Sequence, residues 1–121
     1  MILDSLYLSR IKTLDCLEKC LSESLDFIMY SFVYGSTSKF SIKDSSDIDL
    51  LLIGSQEKTL DLLVSIDKCL EKYCGTFPEI DFKYYQISTF MKLRTENEFL
   101  KSIEKDCKRI GDLKNELLRF C

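Results

Sequence analysis

Apolar residues in the first fifth of the chain recur every three or four positions. The members of this stripe are Leu3, Tyr7, Ile11, Leu14, Leu17, Leu21 and Leu25. Such spacing places the apolar side chains along one face of an amphipathic helix. The pattern therefore predicts a first helix from about Leu3 to Leu25.

Two short and nearly continuous apolar runs follow this helix. The first extends from Phe27 to Tyr34 and is followed by Gly35, and the second extends from Ile48 to Ile53 and is followed by Gly54. Runs of this length are typical of strands buried on both faces, and β-branched and aromatic residues favour strands. Both runs are therefore predicted as strands.

Helical spacing returns after the second strand. The apolar positions of this stripe are Leu60, Leu63, Ile66, Leu70 and Tyr73. Ser55 is a candidate N-cap, and Gly75 with Pro78 just beyond is the usual order of stop signals. The next segment, Glu79 to Ile87, alternates in the manner of a third strand. The order strand, helix, strand predicts a crossover connection and an α/β fold.

The last quarter of the chain is predicted to be helical. Residues 95–98 resemble a capping box, and Gly111 is a candidate stop signal. The apolar stripe between them contains Leu100, Ile103, Cys107 and Ile110. A short final helix, from about Leu113 to Phe120, carries Leu117 and Phe120 on a face that either completes the core or docks on a partner.

Composition and charge restrict the number of domains, the class of binding partner and the cellular location that we expect. The chain has 121 residues, of which 45% are hydrophobic, so one domain spanning residues 1–121 is expected. A net charge of −3 argues against non-specific nucleic-acid binding and favours a basic protein partner. Asp4 and Arg10 interrupt any signal-peptide pattern, and no apolar run is long enough for a membrane span. We therefore expect a cytoplasmic protein.

Six cysteines raise the question of disulfides or zinc. The chain contains no CxxC motif and no histidine, which removes most of the usual zinc arrangements. Cys16 and Cys20 are four residues apart in a helical pattern, and Cys69 and Cys74 lie in another. Free thiols without zinc are the expectation.

The candidate chemistry lies between the first two strands. Gly35 and Ser36 are followed by ten residues and then by Asp47, Ile48 and Asp49. In a strand, the two aspartates project from one face, and a pair of carboxylates at the edge of a sheet suits a nucleotide's magnesium ion. Glycine permits close approach of a phosphate, and the serine hydroxyl and nearby amides can donate to it.

Asp81 is the third candidate carboxylate. It shares one face of its predicted strand with Lys83, Tyr85 and Ile87. An acidic residue in an apolar strand is costly unless it is exposed, paired or bound to metal. Asp81 is therefore either a solvated charge at the strand's edge or a ligand beside Asp47 and Asp49, and the upstream motif favours the ligand.

Together, the spacing GSx10DxD and the later aspartate resemble the nucleotidyltransferase superfamily that includes DNA polymerase beta. The small size makes the chain most similar to the minimal nucleotidyltransferases, or MNT proteins, which are antitoxin partners of HEPN-domain toxins. The resemblance covers Phe27 to Ile87 and implies the nucleotidyltransferase fold, a small mixed sheet flanked by helices. Many members have arginine and glycine shortly after Gly-Ser, whereas this chain has Lys39 and Phe40.

The resemblance also implies a mechanism. Asp47, Asp49 and Asp81 would hold two magnesium ions, and Gly35 and Ser36 would bind the phosphates of ATP. Lys39 and Lys83 are the candidate cations beside those phosphates.

By this resemblance, AMP passes to a tyrosine of a HEPN ribonuclease toxin, which is thereby silenced. Two alternatives stay open. One is a small-molecule nucleotidyltransferase similar to those that modify aminoglycosides, and the other is a catalytically silent scaffold that inhibits its partner by contact alone.

Overall fold

The computed structural model describes the backbone of residues 2–35, 48–75 and 79–119, and their side chains except those of residues 2–7. In order, its elements are α1 (Ile2–Ser24), β1 (Ile28–Tyr34), β2 (Ile48–Gly54), α2 (Leu60–Cys74), β3 (Ile80–Gln86), α3 (Ile87–Leu93), α4 (Glu98–Asp106), β4 (Lys108–Arg109) and α5 (Ile110–Leu118). Each predicted helix and strand is present, although the helix predicted up to Ile110 ends at Asp106 and the strand predicted up to Ile87 ends at Gln86. Elements α3 and β4 are additional.

The four strands form one mixed sheet in the order β3-β2-β1-β4. Strand β1 is antiparallel to both β2 and β4, whereas β2 and β3 are parallel. Helix α2 makes the connection between the parallel pair, as a crossover requires. The chain is thus a small single-domain α/β protein, and the predicted crossover is confirmed.

Each face of the sheet is covered by its own group of helices. On one face, α1, α2 and α5 pack against alternate residues of the central strands, including Val33, Leu50 and Leu52. On the other face, Leu51 and Ile53 contact side chains from α3 and α4. This alternation follows from the period of two in a strand, and it fixes which face each polar strand residue occupies.

Helix α1 is amphipathic, as its stripe predicts. Leu14 and Leu17 are fully buried, whereas Asp15 on the other side is exposed. The Asp15 and Glu18 carboxylates accept hydrogen bonds from Lys114 Nζ at 2.8 and 2.5 Å, which ties α1 to α5. Across the described ranges, no helix combines the length and the apolar character needed to cross a membrane.

Two predicted N-caps are wrong. Thr59, not Ser55, caps α2, and its hydroxyl accepts from the Leu62 amide at 3.1 Å. The Ser55 amide instead donates to the Phe27 carbonyl at 3.1 Å, which holds Ser55 beside the start of β1. Asn97 caps α4 in place of Thr95, because the chain first makes a turn closed on the Leu93 carbonyl.

Gly75 ends α2 as predicted, but Gly111 does not end α4. Gly75 has a φ of 75°, which favours glycine, and its amide donates to the Glu71 carbonyl. Helix α4 ends earlier because the next residues pair with β1, and Gly111 lies inside α5. Leu117 of α5 is fully buried in the core, so this helix completes the core, while Phe120 lies outside the described residues.

Candidate active site

Three polar side chains form a row across one end of the sheet. Tyr34 of β1 lies opposite Asp49 of β2, and Asp49 lies opposite Asp81 of β3. Residues that are paired across neighbouring strands point to the same face and lie about 5 Å apart. The structure therefore brings the predicted residues Asp49 and Asp81 side by side.

The row is on the face that α3 and α4 cover. Asp49 shares this face with Leu51 and Ile53, which belong to the smaller apolar cluster. Asp49 is partly buried and Asp81 is exposed. The pair thus stands at the border between the apolar interior and solvent, where carboxylates remain hydrated and accessible to a cation.

Gly35 leaves room for the Asp49 carboxylate. Its φ is +77°, a conformation that residues with a side chain rarely adopt. A Cβ at this position would collide with Asp49 Oδ2, so the carboxylate occupies the space that a side chain would fill. The predicted Gly35 and Asp49 are therefore neighbours in space as well as in the motif.

The carboxylates change the acidity of Tyr34. Burial, followed by the negative charges of Asp49 and Asp81, raises the pKa of Tyr34 to about 12. An anion disfavours a second anion nearby, so the phenol keeps its proton in the presence of the two carboxylates. The negative potential of Asp49 and Asp81 also favours the binding of a divalent cation beside these two carboxylates.

This electrostatic coupling gives a first prediction. Replacing Asp49 by asparagine should lower the pKa of Tyr34, because one of the charges that oppose the phenolate disappears. Magnesium alone, bound between the carboxylates, should shift the pKa in the same direction, because a cation stabilises the phenolate. The pKa of Tyr34 can be followed by NMR of 13C-labelled tyrosine, with Tyr34→Phe to assign the resonance. The matched control is Asp26→Asn, an exposed aspartate beyond the other end of β1, which should leave this pKa unchanged.

Lys83 and Phe99 flank the row. Lys83 lies two residues after Asp81 on the same face of β3, and its ammonium is 5.6 Å from the centre of the Phe99 ring. Phe99 also makes an edge contact with Tyr34, with ring centres 5.8 Å apart. The Phe99 ring thus contacts both Lys83, the predicted cation, and Tyr34 of the row, and it helps to position these two side chains.

A cleft of about 600 Å³ opens on the same face, between the sheet and the two helices. Its walls include Tyr30, Phe32, Phe90, Met91 and Ile103. Tyr30 and Met91 are exposed, and an ion pair of 2.9 Å between Arg94 and Glu104 joins α3 to α4 beside the cleft. The cleft offers an apolar surface that leads towards the row, because Phe32 and Leu51 are the next pair on this face of the sheet, two residues along each strand.

Three predicted site residues lie outside the described residues: Ser36, Lys39 and Asp47. Within residues 2–35, 48–75 and 79–119, no group of three or more Asp, Glu or Cys side chains is placed to hold a metal ion. The predicted three-carboxylate site includes Asp47 and is therefore described only in part.

Tyr34 and Phe99 belong to the site although neither is a candidate on sequence grounds. Tyr34 is the last residue of β1 and immediately precedes Gly35, but its place beside Asp49 depends on the antiparallel register of β1 and β2. Phe99 belongs to a helix remote in sequence. The position of Tyr34 directly before Gly35 is a usable signal, whereas no local pattern indicates Phe99.

A scan against protein-family models found no match to this chain, and a search of the curated proteins found none either. The function must therefore be inferred from the motif and from the geometry around Asp49.

Proposed function

We propose that this chain is a minimal nucleotidyltransferase with the nucleotidyltransferase fold, which transfers AMP from ATP to a tyrosine of a HEPN ribonuclease toxin and so acts as its antitoxin. The observation that carries the proposal is the in-register pair of Asp49 and Asp81 beside Gly35. Asp49 is the second aspartate of the GSx10DxD motif, Asp81 is the later aspartate, and Gly35 is the glycine of the motif. All three lie at the same end of one face of the sheet.

The residues present fit a magnesium ion. Asp49 and Asp81 supply the hard oxygen ligands that this ion prefers, and their mutual repulsion is relieved by a cation. Asp47, two residues before Asp49, is the expected third ligand. When bound, magnesium would neutralise the phosphates and lower the pKa of an attacking hydroxyl.

The remaining chemistry belongs to the chain's own groups. Asp81 is exposed and could accept the proton of an acceptor hydroxyl at its carboxylate. Gly35 lets the Asp49 carboxylate lie against the backbone, and the backbone of Gly35 and the Ser36 hydroxyl would bind the phosphate oxygens. Pyrophosphate would leave as the acceptor oxygen attacks the α-phosphorus from the opposite side.

A large acceptor suits the chain for two reasons. The domain is small, so the partner must help to position its own tyrosine, and the net charge of −3 is complementary to a basic RNA-cleaving protein. The apolar cleft between the sheet and α3 and α4 provides a surface beside the row for such a partner. The buried Leu117 is not part of that surface, which corrects the docking role considered for the last helix.

The direct test is mass spectrometry of a helical HEPN protein that is co-expressed with this chain. One or more AMP groups should appear on a tyrosine of the partner and vanish with Asp47→Ala. If the partner stays unmodified yet is inhibited equally by wild type and variant, inhibition by contact is the correct function. AMP on a small-molecule acceptor instead would favour the aminoglycoside-type alternative.

Lys83 gives a further prediction. Its replacement by alanine should slow AMP transfer about tenfold, the effect of losing one cation near the phosphates, and should change partner binding much less. Lys68→Ala removes an exposed lysine from α2 on the opposite face and serves as the matched control. Equal rates for the two variants would show that Lys83 does not contact the nucleotide. Transfer and partner binding are measured separately, by labelled ATP and by calorimetry.

A further inference from the structure

Four cysteines meet where α1 packs against α2. Cys20 Sγ lies 3.0 Å from Cys69 Sγ, and Cys16 and Cys74 are hydrogen-bonded to each other. All four are free thiols. In the described part of the chain, no group of three or more such ligands is placed to hold a metal ion.

The Cys20–Cys69 pair has the geometry of a dithiol ready to close. A disulfide bond is about 2.0 Å long, so the two sulfurs need to approach by only about 1 Å. The pair joins residues 49 positions apart in the sequence, on two different helices. Contact between these sulfurs therefore depends on the folded packing of α1 on α2 and does not arise from local sequence.

We propose that Cys20 and Cys69 form a redox-active dithiol that oxidises to a disulfide joining α1 to α2, with oxidised glutathione or another low-molecular-weight disulfide as the oxidant. In the first step, the Cys69 thiolate attacks the oxidant's disulfide and releases one glutathione thiol. Cys20 then attacks the mixed disulfide at Cys69 Sγ and releases the second. The two hydrogens of the protein thiols end on two glutathione molecules, and the protein gains one S–S bond.

Exposure and acidity decide the order of these steps. Cys69 is partly exposed, whereas Cys20 is fully buried. Burial, followed by the hydrogen bond with Cys69, raises the pKa of the Cys20 thiol. Cys69 is thus the point at which an external disulfide enters, and Cys20 is the resolving thiol held against it.

The test uses the full chain, reduced and then treated with oxidised glutathione, alkylated and digested with trypsin. Trypsin cleaves after Lys12, Lys19, Lys68 and Lys72, so the four cysteines fall on four different peptides and their pairing is read directly. The expected product is a peptide cross-linked between Cys20 and Cys69, with a loss of two hydrogens. Oxidation should raise Tm by about 10 °C, because a long loop is closed, and a reductant should reverse the rise.

Two variants separate this dithiol from the other cysteines. Cys69→Ser, at a partly exposed position, should abolish both the cross-link and the rise in Tm. Cys107→Ser changes a cysteine at the end of α4, on the other face of the sheet, and should leave both intact.

The proposal fails if glutathione stays attached to Cys69 without the cross-link, if Cys20 pairs with another cysteine, or if both thiols remain reduced. A stoichiometric metal ion that protects the thiols would overturn it as well. Neither helix contributes a residue to the row of Tyr34, Asp49 and Asp81, so the outcome does not depend on the proposed function.

Discussion

Replacing Asp49 by asparagine should reduce AMP transfer by at least about 10³-fold while leaving the fold intact. The loss of a metal-binding carboxylate removes several kcal/mol of transition-state stabilisation, and each 1.4 kcal/mol corresponds to about tenfold in rate. Asparagine has the same shape as aspartate, and its neutral amide relieves the repulsion with Asp81. Thermal stability should therefore be unchanged or slightly higher.

The measurement is the incorporation of labelled AMP into the partner, together with thermal unfolding of each variant. Asp26→Asn makes the same chemical change at an exposed position beyond the opposite end of β1, and it should transfer AMP at the wild-type rate. A fully active Asp49→Asn variant would show that transfer takes place elsewhere.

Gly35→Ala is expected to abolish metal-dependent nucleotide binding at a modest cost in stability. The positive φ of Gly35 makes any side chain unfavourable by about 1–2 kcal/mol. The new Cβ would also displace the Asp49 carboxylate, which sits where that atom would be. Rotation of a carboxylate costs the fold little, but it removes the ligand from its place in the row.

Gly75→Ala is the matched control for this variant. Gly75 has a φ of +75°, and a Cβ added to it would meet no heavy atom within 4 Å, so alanine there introduces the backbone strain alone. The two variants should lose similar stability in chemical denaturation, while only Gly35→Ala loses the binding of ATP with magnesium in calorimetry. Equal binding by both would mean that the Asp49 carboxylate takes no part in it.

Much of the fold follows from hydrophobic periodicity. The stripes of α1 and α2 are clear because each helix buries one face, and the apolar run of β2 is continuous because β2 is buried on both faces. The run of β1 also predicts a strand, although Met29 and Tyr30 are exposed. The same period of two places Asp81 and Lys83 on one face of β3. The structure agrees, and the parallel register sets Asp81 directly opposite Asp49.

Periodicity could not predict features that are set by a local side-chain cap or by strand pairing. Ile87 continues the alternation of β3, yet it begins α3, because the Gln86 side chain accepts from the amides of Ser88 and Thr89 and caps the helix. The position of Tyr34 beside Asp49 depends on the register between two strands separated by a long connection. Periodicity assigns a residue to a face, but only strand pairing determines its neighbours.

The most direct test of a metal-bound nucleotide at this row is NMR of the 15N-labelled chain with ATP and manganese, a paramagnetic ion that favours the same oxygen ligands as magnesium. We predict that the strongest line broadening occurs at the amides of Gly35, Asp49 and Asp81, that Asp26 stays sharp, and that Asp49→Asn removes the effect. Broadening centred on other carboxylates, or unchanged in Asp49→Asn, would contradict a nucleotide site at this row.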